Sequence, residues 1–208
     1  PEWYFSVEEQ RDVIEHMFDD NVDLVGWELR KALTLLRKSN PSLLEWLNSP
    51  KVYYVDSEFE KRIREVEQDY FNPVKSMYHY HRIYNRDNDR FIQHMDCHMK
   101  RFLYYLRGIL ACKWIETNQS IPPVRFQELL DATIADIIIK KKILSLIEIK
   151  KGGTESDMSV VDEDLLSYAH EWAEYYNQTV SSFRPEQHPR TSHALDSILF
   201  DMVNNNPK

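Results

Sequence analysis

The spacing of apolar residues changes once along this chain, and the change divides it. In the first part the apolar residues come in short β-branched runs. Val13 and Ile14 lie between charges in a strand-like run over Arg11–His16. Asp19, Asp20 and Asn21 form a polar turn, after which Val22, Leu24 and Val25 resume the apolar run with one carboxylate, Asp23, inside it. Two such runs around an Asp/Asn turn predict a hairpin. From Glu28 the period becomes helical, with Leu29, Leu33 and Leu36 on one face of a helix over 28–39. Asp23 therefore stands on a strand just before a strand-to-helix crossing, where open α/β sheets often place chemistry.

Beyond this point the pattern is helical almost throughout. Asn40-Pro41 stops the first helix and opens a second over 41–48, with Asn40 as N-cap and Leu43, Leu44 and Leu47 facing inward. Val52–Val55 is a short extended run. Helices are predicted from Asp56 or Ser57 to Tyr70, from Pro73 to Met95, from Cys97 to Asn118, from Phe126 to Ala132, from Ile134 to Lys150, from Asp162 to Phe183 and from His188 to Asn205. Ile121-Pro122-Pro123 breaks the longest apolar helix. The pattern gives an α+β chain that is mostly α, a short hairpin followed by a multi-helix bundle. The domain boundary falls near residue 50, giving segments 1–50 and 51–208.

Composition agrees. The 208 residues are 42% hydrophobic and 29% charged, within the globular range, and only 4 are Gly. Aromatic residues reach 12%, with 12 Tyr and 5 Trp, so a sizeable core is available. The net charge of −8 argues against broad coating of nucleic acid, because phosphate repulsion must be overcome by a local basic patch. The two Cys, Cys97 and Cys112, imply no disulfide framework, and a reduced cytoplasmic setting is expected. No run of 18 apolar residues predicts a membrane span.

Several groups could carry chemistry. Asp23 leads, although taken alone an Asp between Val and Leu is explained by the exposed face of an edge strand. Glu28, Arg30 and Lys31 lie in the first turns of the following helix, where a cation could face a phosphate or simply solvent. Arg107 sits in an apolar helix and must find a partner, either a ligand or a carboxylate such as Glu45 or Glu116. The run Tyr78–Arg86 mixes aromatics and cations, a combination that can stack bases but that packing explains better. His94, Cys97 and His98 share part of a helix face, yet a zinc site would need a fourth ligand. Gly152-Gly153 followed by Asp162-Glu163-Asp164 is best explained by helix capping, with Asp162 as N-cap. Asp87-Asn88-Asp89 reads as helix or turn surface.

The opening stretch also carries a resemblance. Glu2-Trp3-Tyr4-Phe5-Ser6, Arg11-Asp12-Val13-Ile14-Glu15, Val22-Asp23-Leu24-Val25-Gly26-Trp27-Glu28-Leu29-Arg30-Lys31, Asn40-Pro41-Ser42-Leu43-Leu44-Glu45-Trp46-Leu47 and Ser49-Pro50 form one set. Tyr104-Tyr105-Leu106-Arg107-Gly108-Ile109-Leu110-Ala111-Cys112-Lys113-Trp114-Ile115 forms another. These blocks resemble the predicted nucleotidyltransferases of the DNA polymerase β superfamily, in the RlaP-like branch.

The resemblance implies that residues 1–50 are the C-terminal part of a nucleotidyltransferase α/β domain, the hairpin being a remnant of its sheet, and that 51–208 are a helical domain. It implies transfer of a nucleoside monophosphate from an NTP to a hydroxyl acceptor, RNA among the candidates, with two Mg²⁺ ions. Asp23 would be the third carboxylate of the metal cage, binding metal or taking the acceptor's proton. Lys31, Lys100, Tyr105 and Arg107 would face the nucleotide. The family's Gly-Ser, followed about a dozen residues later by an Asp-x-Asp pair on a strand, is not found in this sequence, where no Gly is followed by Ser, so the chain is expected to be a truncated member, inactive alone. A remnant sheet also suggests a homo-oligomer through its open edge. The alternative is a non-catalytic helical domain for substrate binding or assembly.

Overall fold

The computed structural model describes residues 4, 6–8, 10–18, 22–92, 99–152, 161–185 and 191–204. The turn at 19–21 and the group His94, Cys97 and His98 lie outside them, as do the side chains of Asp87 and Asp89. The architecture is a two-stranded antiparallel hairpin followed by nine α-helices among the described residues. This is the α+β, mostly helical class that the apolar periodicity predicts. No helix among the described residues is long and apolar enough to cross a membrane.

Contacts gather the chain into two compact units: Pro1–Leu47 with Lys51–Phe71 and His188–Lys208, and Asn48–Pro50 with Asn72–Gln187. In the first, β1 (Val13–Met17) pairs with β2 (Asp23–Trp27) in the register Met17↔Asp23, Glu15↔Val25 and Val13↔Trp27. Phe18 N–H donates to the Val22 carbonyl at 2.9 Å and closes the hairpin. Helix α1 (Leu29–Arg37) buries Leu33 and Leu36. It ends where Ser39 enters the left-handed region at φ 56°, so that the Asn40 N–H reaches back to the Leu35 carbonyl at 2.9 Å. Asn40 then caps α2 (Pro41–Leu47), its Oδ1 accepting from Leu43 N–H at 3.0 Å.

Asp56 caps α3 (Ser57–Tyr70) by accepting from Phe59 N–H at 2.8 Å. The run Val52–Val55, expected to be extended, forms no strand and is exposed, since nothing pairs its backbone into a ladder. The closing helix (His193–Asn204) returns to α1 and α3. Arg62 ties α3 to it by donating to Asp201 Oδ2 at 2.7 Å and Ser197 Oγ at 3.0 Å.

In the second unit, α4 (Pro73–Ile92) and α5 (Met99–Asn118) share the largest interface. They close on each other at Gly108. A Cβ built there would lie 3.1 Å from the Tyr80 carbonyl oxygen and 3.1 Å from Tyr84 Cβ. Tyr80 and Tyr84 are buried, and His81 pairs with Asn177 Oδ1 at 3.0 Å. The mixed aromatic and basic run is thus amphipathic, with Tyr80 and Tyr84 in the core and Tyr78, Arg82 and Arg86 exposed.

The chain continues through α6 (Phe126–Thr133), α7 (Ile137–Gly152) and α8 (Glu163–Thr179). Helix α7 starts later than its apolar run, because Asp136 Oδ1 accepts from Ile138 N–H at 2.7 Å and Ile139 N–H at 3.1 Å and so fixes the first turn. Asp162 caps α8 by accepting from Asp164 N–H at 2.9 Å. Glu116 on α5 takes the hydroxyl hydrogens of Tyr175 at 2.7 Å and Tyr176 at 2.9 Å, joining α5 to α8.

Candidate functional site

Asp23 is the first residue of β2 and is exposed. Strand alternation and the pairing register put Glu15 on the same hairpin face, diagonal to Asp23. Apolar side chains are exposed on both hairpin faces, Val25 and Met17 on the Asp23 face and Ile14 and Leu24 on the other. The strand therefore does not read as an ordinary polar edge with one buried face.

Mg²⁺ takes six oxygen ligands in near-octahedral geometry. Among the described residues no group of three His, Cys, Asp or Glu side chains is assembled. Asp23 and Glu15 alone do not make up such a set.

Helix α1 is anchored by a carboxylate. Glu28 caps it with both oxygens, accepting from Arg30 N–H at 2.7 Å and Lys31 N–H at 3.0 Å. The Tyr4 hydroxyl donates to the same Glu28 carboxylate, and the Arg30 guanidinium lies 5.3 Å from the Tyr4 ring centre. Burial, and then the Glu28 contact, push the Tyr4 phenol well above its usual range. These residues line a concavity of about 440 Å³. Its cations Arg30, Lys31 and Lys38 face the carboxylates Glu8, Asp12 and Glu28, and Lys31 Nζ lies 2.9 Å from Asp12 Oδ1. Lys31 is thus paired with a carboxylate of its own unit, which lowers the attraction of this concavity for a phosphate.

The second unit holds a different concavity, of about 470 Å³, walled by α5, α6 and α7. Lys100, Tyr104 and Arg107 approach it from α5, Phe126 from α6, and Ile147 and Lys150 from α7. None of its described lining residues is acidic. The Arg107 guanidinium donates to the carbonyls of Val124 at 3.0 Å and Pro123 at 3.5 Å. Those carbonyls lie at the helix-breaking prolines, outside the helical ladder, and are open to accept from the guanidinium.

Lys100 and Arg107 therefore share one groove. Tyr105 does not join them. It is buried, donating from its hydroxyl to Asn88 Oδ1 at 2.7 Å, and burial raises its pKa. Its neighbour Tyr104 is 57% exposed and lines the groove instead. Tyr104 and Phe126 were not singled out as site residues in the sequence, because their common wall forms only when three separate helices pack. Lys113, further along α5, faces α8. Its Nζ stands 3.6 Å over the Trp172 ring, and burial lowers its pKa.

Comparison with known proteins places the chain. The sequence profile of the family described as "RlaP: RNA repair pathway DNA polymerase beta family" matches residues 1–201. The chain belongs to the RlaP family. A relative from Bacillus subtilis (strain 168), the uncharacterized protein YcgL, is 37% identical over 202 residues, covering 97% of this chain and 77% of that protein. No solved structure matches. As a member of the RlaP family the chain is of DNA polymerase β type, and the match runs through both the hairpin and the helices of the basic groove.

Proposed function

We propose that this protein transfers a nucleoside monophosphate from an NTP to a hydroxyl acceptor, an RNA end in the repair setting the family's description gives. The observation that carries this reading is the polymerase β family match, which spans the hairpin presenting Asp23. Asp23 would contribute one carboxylate to a metal set. Bound divalent metal would supply charge neutralisation at the phosphates and a more acidic acceptor hydroxyl. The chain's own contribution is positional. The β1–β2 ladder fixes the Asp23 backbone, and α1, capped by Glu28, holds the end of that strand against the rest of the unit.

The test is transfer of label from α-labelled NTP to an RNA oligonucleotide with a free 3′ hydroxyl, in the presence of Mg²⁺, using the full natural protein. Asp23→Asn keeps the size of an exposed side chain and removes its charge, so the helical circular dichroism should be unchanged. Transfer should fall at least about 100-fold, the equivalent of roughly 2.7 kcal/mol at the transition state. Transfer at the wild-type rate in Asp23→Asn overturns the role of Asp23. No transfer from any of the four NTPs by the natural protein overturns the reaction. A second reading, a non-catalytic binding or assembly protein, draws support from the absence of a three-donor group among the described residues. It expects ligand binding without transfer.

A further inference from the structure

We propose that Tyr53 and Tyr54 are acceptors for a nucleoside monophosphate, so that the protein modifies its own chain at this pair. The inference rests on the transferase reading above and gives that reaction a second class of acceptor, a protein phenol. Three observations carry it.

The first is which phenols are free. Of the 12 tyrosines, six are held by the protein itself. Tyr4 donates to Glu28, Tyr70 to the Thr191 carbonyl, Tyr84 to the Ala173 carbonyl, Tyr105 to Asn88, and Tyr175 and Tyr176 to Glu116. A hydroxyl so held must give up its hydrogen bond before it can attack phosphorus. Tyr53 is 97% exposed and Tyr54 86%, and among the described residues neither donates to a protein group.

The second observation is how the pair is presented. Val52–Val55 forms neither helix nor strand, and among the described residues its backbone makes no hydrogen bond. Transfer from an NTP sets the attacking oxygen roughly in line with the leaving oxygen across the phosphorus. A segment with no ladder or helix to break can take up that alignment without losing backbone bonds. Tyr78 and Tyr104 also reach solvent, but each stands within a helix, α4 and α5, whose hydrogen bonds fix its backbone.

The third is placement. The pair belongs to the same compact unit as the hairpin that presents Asp23. Trp46, near the end of α2, stacks on Trp27 at the end of β2 with ring centres 4.0 Å apart, and Tyr53 follows Trp46 by seven residues. Seven residues span at most about 25 Å, so the pair is tethered near the end of the strand that begins with Asp23.

The step needs no reagent besides the NTP. The tyrosine Oη forms a bond to the α-phosphorus, the bond from that phosphorus to the bridging oxygen breaks, and pyrophosphate leaves with the electron pair. The phenolic proton passes to water. A phenol is the most acidic hydroxyl that a side chain offers, and tyrosine serves enzymes as a nucleophile.

The test is incubation of the full natural protein with α-labelled NTPs and Mg²⁺, without RNA, followed by denaturing electrophoresis. Label should stay on the protein, and mass spectrometry should find an added nucleoside monophosphate on the tryptic peptide Val52–Lys61. Tyr53→Phe with Tyr54→Phe keeps both rings and removes both hydroxyls, so circular dichroism should be unchanged while labelling falls at least about tenfold. Tyr78→Phe removes an exposed phenol from α4 and should leave labelling as in the wild type.

No label on the natural protein while it transfers NMP to RNA overturns the inference and leaves the transferase standing. Label kept by the double phenylalanine variant, or mapped to any residue other than these two, overturns it as well. Label on Tyr53 or Tyr54 without transfer to RNA upholds the inference and replaces the RNA end by a protein acceptor. Absence of transfer to either acceptor refutes both.

Discussion

Replacing Gly108 by alanine should destabilise the protein, although alanine is the better helix former. In the interior of α5 the exchange gains about 1 kcal/mol of intrinsic propensity. Against this stands the α4–α5 crossing. The new methyl would lie 3.1 Å from the Tyr80 carbonyl oxygen, 3.1 Å from Tyr84 Cβ and 3.3 Å from the Tyr84 amide nitrogen. Two of these are backbone atoms of α4, and the third is the root of a fully buried side chain. None can swing aside as the tip of a flexible chain could, so relief requires α4 to move by a few tenths of an ångström along a packed interface.

Overpacking of this kind costs about 1–3 kcal/mol. The balance is a net loss of about 1 kcal/mol for Gly108→Ala. For Gly108→Val, which adds two more methyl groups and lacks alanine's propensity, the loss is about 3 kcal/mol. Urea unfolding followed by tryptophan fluorescence measures this. With a slope of about 2–3 kcal/mol per molar, Gly108→Ala should lower the midpoint by about 0.3–0.5 M at unchanged slope. A midpoint equal to or above the wild type would refute the reasoning, since it would mean that α4 yields at no cost.

Two further predictions rest on named contacts. Glu28→Ala removes both oxygens that cap α1 as well as the partner of the Tyr4 hydroxyl, and should cost about 1–2 kcal/mol; Glu28→Asp should recover part of it, and equal stability of all three proteins in urea would disprove the capping role. Stability should also fall above pH 10. Burial holds the Tyr168 phenol up to about 12 and those of Tyr84, Tyr105 and Tyr176 higher still, while in the unfolded chain they ionise near 10. With folded pKa values raised, the folded state retains protons that the unfolded state gives up, so their stabilisation is complete below pH 10 and is lost as pH rises towards the folded values. Lys113, whose pKa is lowered, opposes this weakly as the unfolded lysine loses its proton. Absorbance at 295 nm should show a set of phenolates forming together with the loss of helical circular dichroism. Ionisation of every tyrosine near pH 10 with the helices intact would contradict the burial assignment.

Much of the secondary structure was fixed by local rules that the sequence displays. Asn40, Asp56, Asn72 and Asp162 each precede a helix and accept from its first amides, an interaction spanning two or three residues. The hairpin follows from two β-branched runs around a polar turn, and the period change at Glu28 marks the start of α1. The position of Asp23 on β2, shortly before α1, was legible for the same reason. So was the relationship to polymerase β proteins, which short motifs carry along the chain.

The packing was not legible, because it depends on residues far apart in sequence and on the rotation of each helix. Tyr104 and Tyr105 are neighbours with the same side chain, and one step along a helix turns by about 100°. Only the packing of α4 against α5 at Gly108 sends Tyr105 inward to Asn88 and leaves Tyr104 outside. Lys100, Arg107 and Lys113 share α5, yet two of them face the groove and the third lies on Trp172. Trp27 and Trp46 stack with ring centres 4.0 Å apart although a strand end, a helix and a turn separate them. The sequence by itself determined which segments are helix or strand, because capping and periodicity act over a few residues. Which cations share one groove, and which aromatic ring stands between them, was decided by tertiary structure, because a concave wall is assembled from groups that only the folded chain brings together.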